Sequence, residues 1–335
     1  MRAGSALTTY RAAMSEARVA TTNASLWNGL LGDGRPALGA VGAAIAFAGG
    51  LAVYLGFTRQ LLPHDLAYLD MTPAEIEALA DGRVMGFMVH DRVSWGGSLF
   101  AVGAMMMWLV AFPLSDGRRW GWWALAGSGM IGFATFASHI PTGYLDTWHG
   151  VGTLALIPLF VVGIIRARSL TASSGRINLT RRLVEAGWGR RLVVATGVGL
   201  SVSGLVIMTI GMLVTFVPSD LSFMGVDADG LRAINDRLVP LLAHDRVGFA
   251  GGVLVGGLLV AMIGLLGKGR SVPQVLSVAG ISGFGLTILV HTTVGYTDPF
   301  HLAPPVVGII ALGLGLALGW RDMSKPDIEV VRRAS

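Results

Sequence analysis

Histidine is scarce in this chain, and nearly all of it falls into a pattern. There are seven histidines in 335 residues. His139 is followed by Gly143-Tyr144, Asp146 and His149, and His291 by Gly295-Tyr296, Asp298 and His301. In both sets seven residues lead from His to Asp and three more to the next His. Upstream, His90-Asp91-Arg92-Val93 parallels His244-Asp245-Arg246-Val247, and Asp65-Leu66-Ala67-Tyr68-Leu69 parallels Asp220-Leu221-Ser222-Phe223-Met224. His64 has no histidine counterpart and reads as incidental.

Imidazole nitrogen and carboxylate oxygen are the ligands of first-row metal ions. The candidate ligands are therefore His90, Asp91, His139, Asp146 and His149 in the first half, and His244, Asp245, His291, Asp298 and His301 in the second, for Zn, Fe or Mn. The carboxylates have competing roles. Asp298 precedes Pro299 and has the form of a helix N-cap, and Asp146 shares its place. Asp91 and Asp245 directly follow a His and so point elsewhere on a helix, towards an imidazole or a guanidinium as readily as a metal. Arg92, Arg246, Tyr144 and Tyr296 are the candidate catalytic residues. A guanidinium would bind a substrate anion or hold the neighbouring acids. A phenol would give a proton or serve only as an interfacial aromatic. The alternative for the whole set is that the histidines make interhelical hydrogen bonds or sit at headgroup level.

The elements that must position these residues belong in lipid. The chain is 53% hydrophobic and 13% charged, against roughly 25% charged for a soluble domain. Eight apolar stretches approach the ~20 residues needed to cross a hydrocarbon core: Ala37 to Phe57, Val93 to Phe112, Trp120 to Ser138, Gly150 to Ile165, Leu192 to Val217, Val247 to Leu266, Val272 to Val290 and Leu302 to Trp320. None alternates with the period of a barrel strand, so the expected fold is all-α integral membrane. The matched motifs divide it into two tandem four-helix repeats, residues 37–166 and 192–320. Four is an even number of crossings, which makes the repeats parallel rather than inverted.

Flanking these are an N-terminal segment (1–36), a basic linker (167–191) and a tail (321–335). The N-terminal segment lacks the apolar stretch of a cleavable signal. Of the 25 basic residues, all but Arg59, Arg83, Arg92, Arg232, Arg237 and Arg246 lie in the terminal segments or the loops after spans two, four and six. Basic loops stay inside, which predicts cytoplasmic termini, a plasma (inner) membrane of bacterial type, and a net charge of +5 that reports topology rather than nucleic-acid binding. With no cysteine, thiolate ligands and disulfides are excluded. The 48 glycines suit close helix packing in lipid.

On this topology the six matched histidines meet at the extracytoplasmic face. His90, His139 and His149 are expected to form one cluster and His244, His291 and His301 the other, each complete within its own half, with a single composite centre at the pseudo-twofold axis as the alternative. Thr72-Pro73-Ala74-Glu75 is a capping-box signature, and Leu231, Ile234, Leu238 and Leu241 form a helical stripe, so each half should carry an amphipathic helix in the outer interface, as a lid or a lipid-facing platform. The leading expectation is a metal-dependent enzyme, hydrolase or oxidoreductase, acting on membrane lipid or another extracytoplasmic substrate. The alternatives are a haem-binding electron-transfer protein and a transporter or ion sensor.

Overall fold

The computed structural model describes residues 32–171 and 178–326. Most of the expected N-terminal segment, part of the linker and the end of the tail lie outside the described residues. Within them the regular elements are helices: α1 (Arg35–Phe57), α2 (Pro63–Leu69), α3 (Pro73–Ala78), α4 (Arg83–Leu109), α5 (Arg119–Thr135), α6 (Thr147–Ala167), α7 (Leu179–Glu185), α8 (Trp188–Leu213), α9 (Pro218–Met224), α10 (Ala228–Ile234), α11 (Leu238–Leu266), α12 (Ser271–Gly280), α13 (Leu286–Val294) and α14 (Pro299–Met323). A π-turn, Ile281–Gly285, joins α12 to α13 without a break, and a 3₁₀ segment, Phe136–Thr142, extends α5.

Seven helical runs are long and apolar enough to cross a membrane: those containing α1, α4, α6, α8, α11, α12 with α13, and α14. The remaining apolar helix, α5, has 17 residues before it tightens. Local chemistry sets the boundaries. Proline occupies the first turn of α1, α2, α3, α9 and α14, where its missing N–H costs nothing. Thr72 and Glu75 close the capping box at α3.

Two helices form the centre. The apolar stretches of α4 and α11 are mostly buried, whereas less than a third of those of α1, α6, α8 and α14 is buried. Small residues a heptad apart let α1 lie directly on α4: a Cβ at Gly49 would stand 2.6 Å from the Gly96 carbonyl, and one at Gly103 would stand 2.5 Å from the Gly42 carbonyl. The α8–α11 contact repeats this with Gly197 against Gly257 and Gly204 against Ala250. Across the centre, α4 packs on α12, the π-turn and α13, while α11 packs on α5 and its 3₁₀ extension. α4 touches α5, and α11 touches α12, far less.

Two expectations need correction. His90 and His244 precede the expected starts of their spans, Val93 and Val247, yet lie within helices. The helices begin at Arg83 and Leu238, so both histidines lie about two turns inside. The surface helices are not lipid-facing platforms on their apolar side. Ile76 and Leu231 are fully buried, in a core with Leu69, Phe87, Met224 and Leu238, and burying each stabilises by roughly 1.5–3 kcal/mol. The stripe from Leu231 to Leu241 is divided between α10 and α11, because the chain breaks at Asn235.

Candidate metal centres

The turns that carry the motif are built alike in both halves. Gly143 and Gly295 adopt φ of 82° and 78°, a left-handed conformation that a side chain would strain. The turn folds the next residue back, so that Tyr144 Oη donates to Asp65 Oδ1 and Tyr296 Oη to Asp220 Oδ1, both at 2.8 Å. Burial, and then the adjoining carboxylates, push both phenols above their ordinary range, which keeps them protonated and donating. Two residues on, Asp146 Oδ1 accepts from the His149 N–H and Asp298 Oδ1 from the His301 N–H, each at 2.8 Å. These N-caps start α6 and α14 and fix the histidine in the first turn.

Buried arginines then tie the halves together. Arg92 donates from Nη2 to Asp65 Oδ2 at 2.8 Å and from Nε to Asp245 Oδ2 at 2.9 Å. Arg246 donates from Nη1 to Asp220 Oδ2, and its Nε stands 3.5 Å from Asp91 Oδ2. Each guanidinium therefore holds one acid from its own half of the chain and one from the other.

The histidines follow the same crossing. Two triplets offer nitrogens within 4.8 Å of one another: His90, His291 and His301, and His139, His149 and His244. The expectation that each half completes its own cluster is wrong. His291 and His301 receive His90, and His139 and His149 receive His244, because α4 lies on α13 and α11 on the extension of α5. Both triplets consist of imidazole alone. Among the expected carboxylate ligands, Asp146 and Asp298 cap helices, Asp245 pairs with Arg92, and Asp91 Oδ1 accepts from His90 Nδ1 at 2.8 Å.

The hydrogen bonds assign the protons at the first triplet. A carboxylate and a carbonyl can only accept, so Nδ1 of His90 donates to Asp91, and Nδ1 of His291 donates to the Thr287 carbonyl at 2.6 Å. In neutral rings this leaves lone pairs on both Nε2 atoms, which face each other at 3.2 Å. A shared proton or a metal ion between the two would satisfy such an arrangement. Two imidazoles bound tetrahedrally to one ion at ~2.05 Å would stand about 3.3 Å apart. His301 completes the set, with Nδ1 3.0 Å from Tyr296 Oη and 3.3 Å from Ser219 Oγ. At the second triplet, His149 Nδ1 lies 3.4 Å from His244 Nε2. Nδ1 of His139 contacts the Phe136 carbonyl at 3.2 Å, and His139 Nε2 and His244 Nδ1 are buried without a partner.

Charge points the same way. Four buried carboxylates, Asp65, Asp91, Asp220 and Asp245, face two buried guanidiniums, Arg92 and Arg246. Buried charge without a counterion costs several kcal/mol, so this excess of acid is relieved either by proton uptake or by a cation among the imidazoles.

His64 is not incidental. Its Nε2 is 2.8 Å from Asp146 Oδ2 and 3.6 Å from Asp65 Oδ1, and these residues form a third group of potential ligands. The available signal was its place immediately before Asp65, since the matching Ser219 immediately before Asp220 also reaches its site. Trp95 carried no signal in the sequence, yet its indole lies 5.3 Å from the His149 ring and 6.1 Å from the His244 ring. No protein-family model, curated protein or solved structure matches the chain.

Proposed function

We propose that this chain is a metal-dependent membrane enzyme with two three-histidine centres, acting on a lipid or other extracytoplasmic substrate. In this reading it crosses the plasma (inner) membrane eight times, with α5 and its extension as the short span. Residues 37–166 and 192–320 are tandem parallel repeats about a pseudo-twofold axis along the membrane normal. Both termini are cytoplasmic and both centres lie near the outer face. The basic loops support the orientation, and the shared turn, cap and arginine geometry supports the repeat.

One observation carries the metal: His90 and His291, each with Nδ1 taken by an acceptor, bring their Nε2 atoms to 3.2 Å with His301 in the same group. Three neutral imidazoles without a carboxylate suit Zn or Fe better than Mn, and leave a position open for water or substrate. A metal bound there would polarise a substrate oxygen and lower the pKa of bound water. The protein's own part is to hold the ligands in one tautomer. Asp91 and the Thr287 carbonyl occupy Nδ1 and aim Nε2, as the partners of metal-bound histidines generally do. A haem reading fits less well, since nitrogens 3.2 Å apart are closer than two ligands at ~2 Å on opposite faces of one iron would stand.

Elemental analysis and an absorption spectrum of purified protein test this. Stoichiometric Zn or Fe without a Soret band is the expected result. A Soret band would establish haem instead, and protein free of metal after purification without chelators would leave the imidazoles sharing protons only.

A further inference from the structure

The two centres differ in their surroundings. A cavity of about 310 Å³ begins at His90, His291 and His301 and continues into the bundle. It follows α4 from His90 to Met105 and α11 from Arg246 to Val260, which at 1.5 Å per residue is roughly 20 Å. Beyond the histidines, Asp91 and Arg246 its walls are mainly apolar, with Ile207, Val253, Phe284 and Leu312 among them. α8 and α14 meet at the far end, where Gly189 abuts Gly319, and both line the cavity nearer the site. Phe300, 91% exposed, and exposed Pro304 stand at its rim on α14.

At the other centre the corresponding space is taken. Trp95 lies five residues after His90, as Phe249 lies five after His244. The Trp95 indole covers His149 and His244 and presses on Gly248, whose Cβ would stand 3.0 Å from it. Phe249 instead lines the open cavity. The imidazoles differ as well. His90 is fixed by Asp91, whereas Nδ1 of His244 has no partner because Asp245 is drawn to Arg92.

We infer that the centre of His90, His291 and His301 is the substrate site and takes an amphiphile with one long apolar chain, its polar end at the imidazoles and its chain between α8, α11 and α14. The shape argues for this occupant. A slot of this length, with its charged and imidazole groups at one end and mainly apolar walls broken by Ser98 and Ser203, matches an acyl or isoprenoid chain and gives a compact water-soluble substrate little to contact along most of its walls. The centre beside Trp95 receives no chain. This inference rests on the enzyme reading and names its substrate class.

Photolabelling tests it. Purified protein in nanodiscs is exposed to a long-chain diazirine fatty acid, with and without excess unlabelled fatty acid, and adducts are mapped by mass spectrometry. Saturable adducts are expected on 200–210 of α8 and 253–260 of α11. The double variant Gly256→Leu with Gly283→Leu fills the cavity from positions with room for a side chain: a Cβ at Gly283 meets nothing within 4 Å, and one at Gly256 meets only Val102 at 3.8 Å. It should lower saturable labelling roughly ten-fold or more, the loss expected if about two methylenes lose their seat, and keep the wild-type metal content. Phe249→Trp should act the same way and serves if the glycine variants do not fold. Labelling unchanged by either filling, or confined to the outward faces of α1 and α6, would overturn the inference. Elemental analysis of the same samples separates the two ideas. Metal without saturable labelling removes the chain site alone, and saturable labelling without metal removes the enzyme reading alone.

Discussion

The crossing of ligands between halves predicts a result that single substitutions would not give. If His90 shares a centre with His291 and His301, then His90→Ala with His291→Ala damages one centre and leaves the other whole. His90→Ala with His139→Ala damages both, although both residues come from the first half of the chain. Structural zinc sites are worth roughly 10–16 kcal/mol over four ligands, so each lost imidazole should cost about 3–4 kcal/mol, or about 10²–10³ in affinity. Dialysed against a metal buffer set between the wild-type and weakened affinities, the first double variant should keep about half the wild-type metal and the second almost none. Metal is counted by elemental analysis against protein by amino-acid analysis, on monodisperse samples only. Centres complete within each half would reverse the two results, and that reversal would refute the assembly described above.

Further outcomes follow from the packing and the buried network. Gly103→Leu should destabilise by about 1–3 kcal/mol or more in detergent melts, since its Cβ alone would meet backbone atoms of Gly42 and Ala46 at 2.5 Å. Gly127→Leu, with nothing within 4 Å of its Cβ, is the control and should melt near the wild type. Tyr144→Phe and Tyr296→Phe each leave a buried carboxylate oxygen, on Asp65 or Asp220, short of a donor, at a cost of roughly 1–3 kcal/mol read as lowered melting temperature. Equal melting of both variants and the wild type would remove the Tyr–Asp bonds from the account. For topology, reporters fused after Ile165 and after Arg83 should report opposite sides of the membrane; the same side for both would mean that the span count is wrong.

Much of the site was legible because it depends on local rules. The interval from His to Asp to His fixes a turn, an N-cap and a first-turn histidine within about ten residues, and the structure builds Asp146–His149 and Asp298–His301 in this way. The apolar lengths likewise announce helices that must satisfy their own backbone in lipid. Only the tertiary structure decided what those pieces meet. Each half contains three histidines, so composition and spacing allow a complete centre within a half as readily as one shared between halves. The choice lies in which helix faces α4 and α11: α4 met α12 and α13, and α11 met α5 and its extension. The same crossing brought Arg92 to Asp245 and Arg246 to within 3.5 Å of Asp91, whose other oxygen holds His90. The place of Trp95 beside one centre and Phe249 beside the other could not be read from their types either, because both are large apolar residues at matching positions. Their difference lies in the volume left around them, which depends on packing among helices distant in sequence.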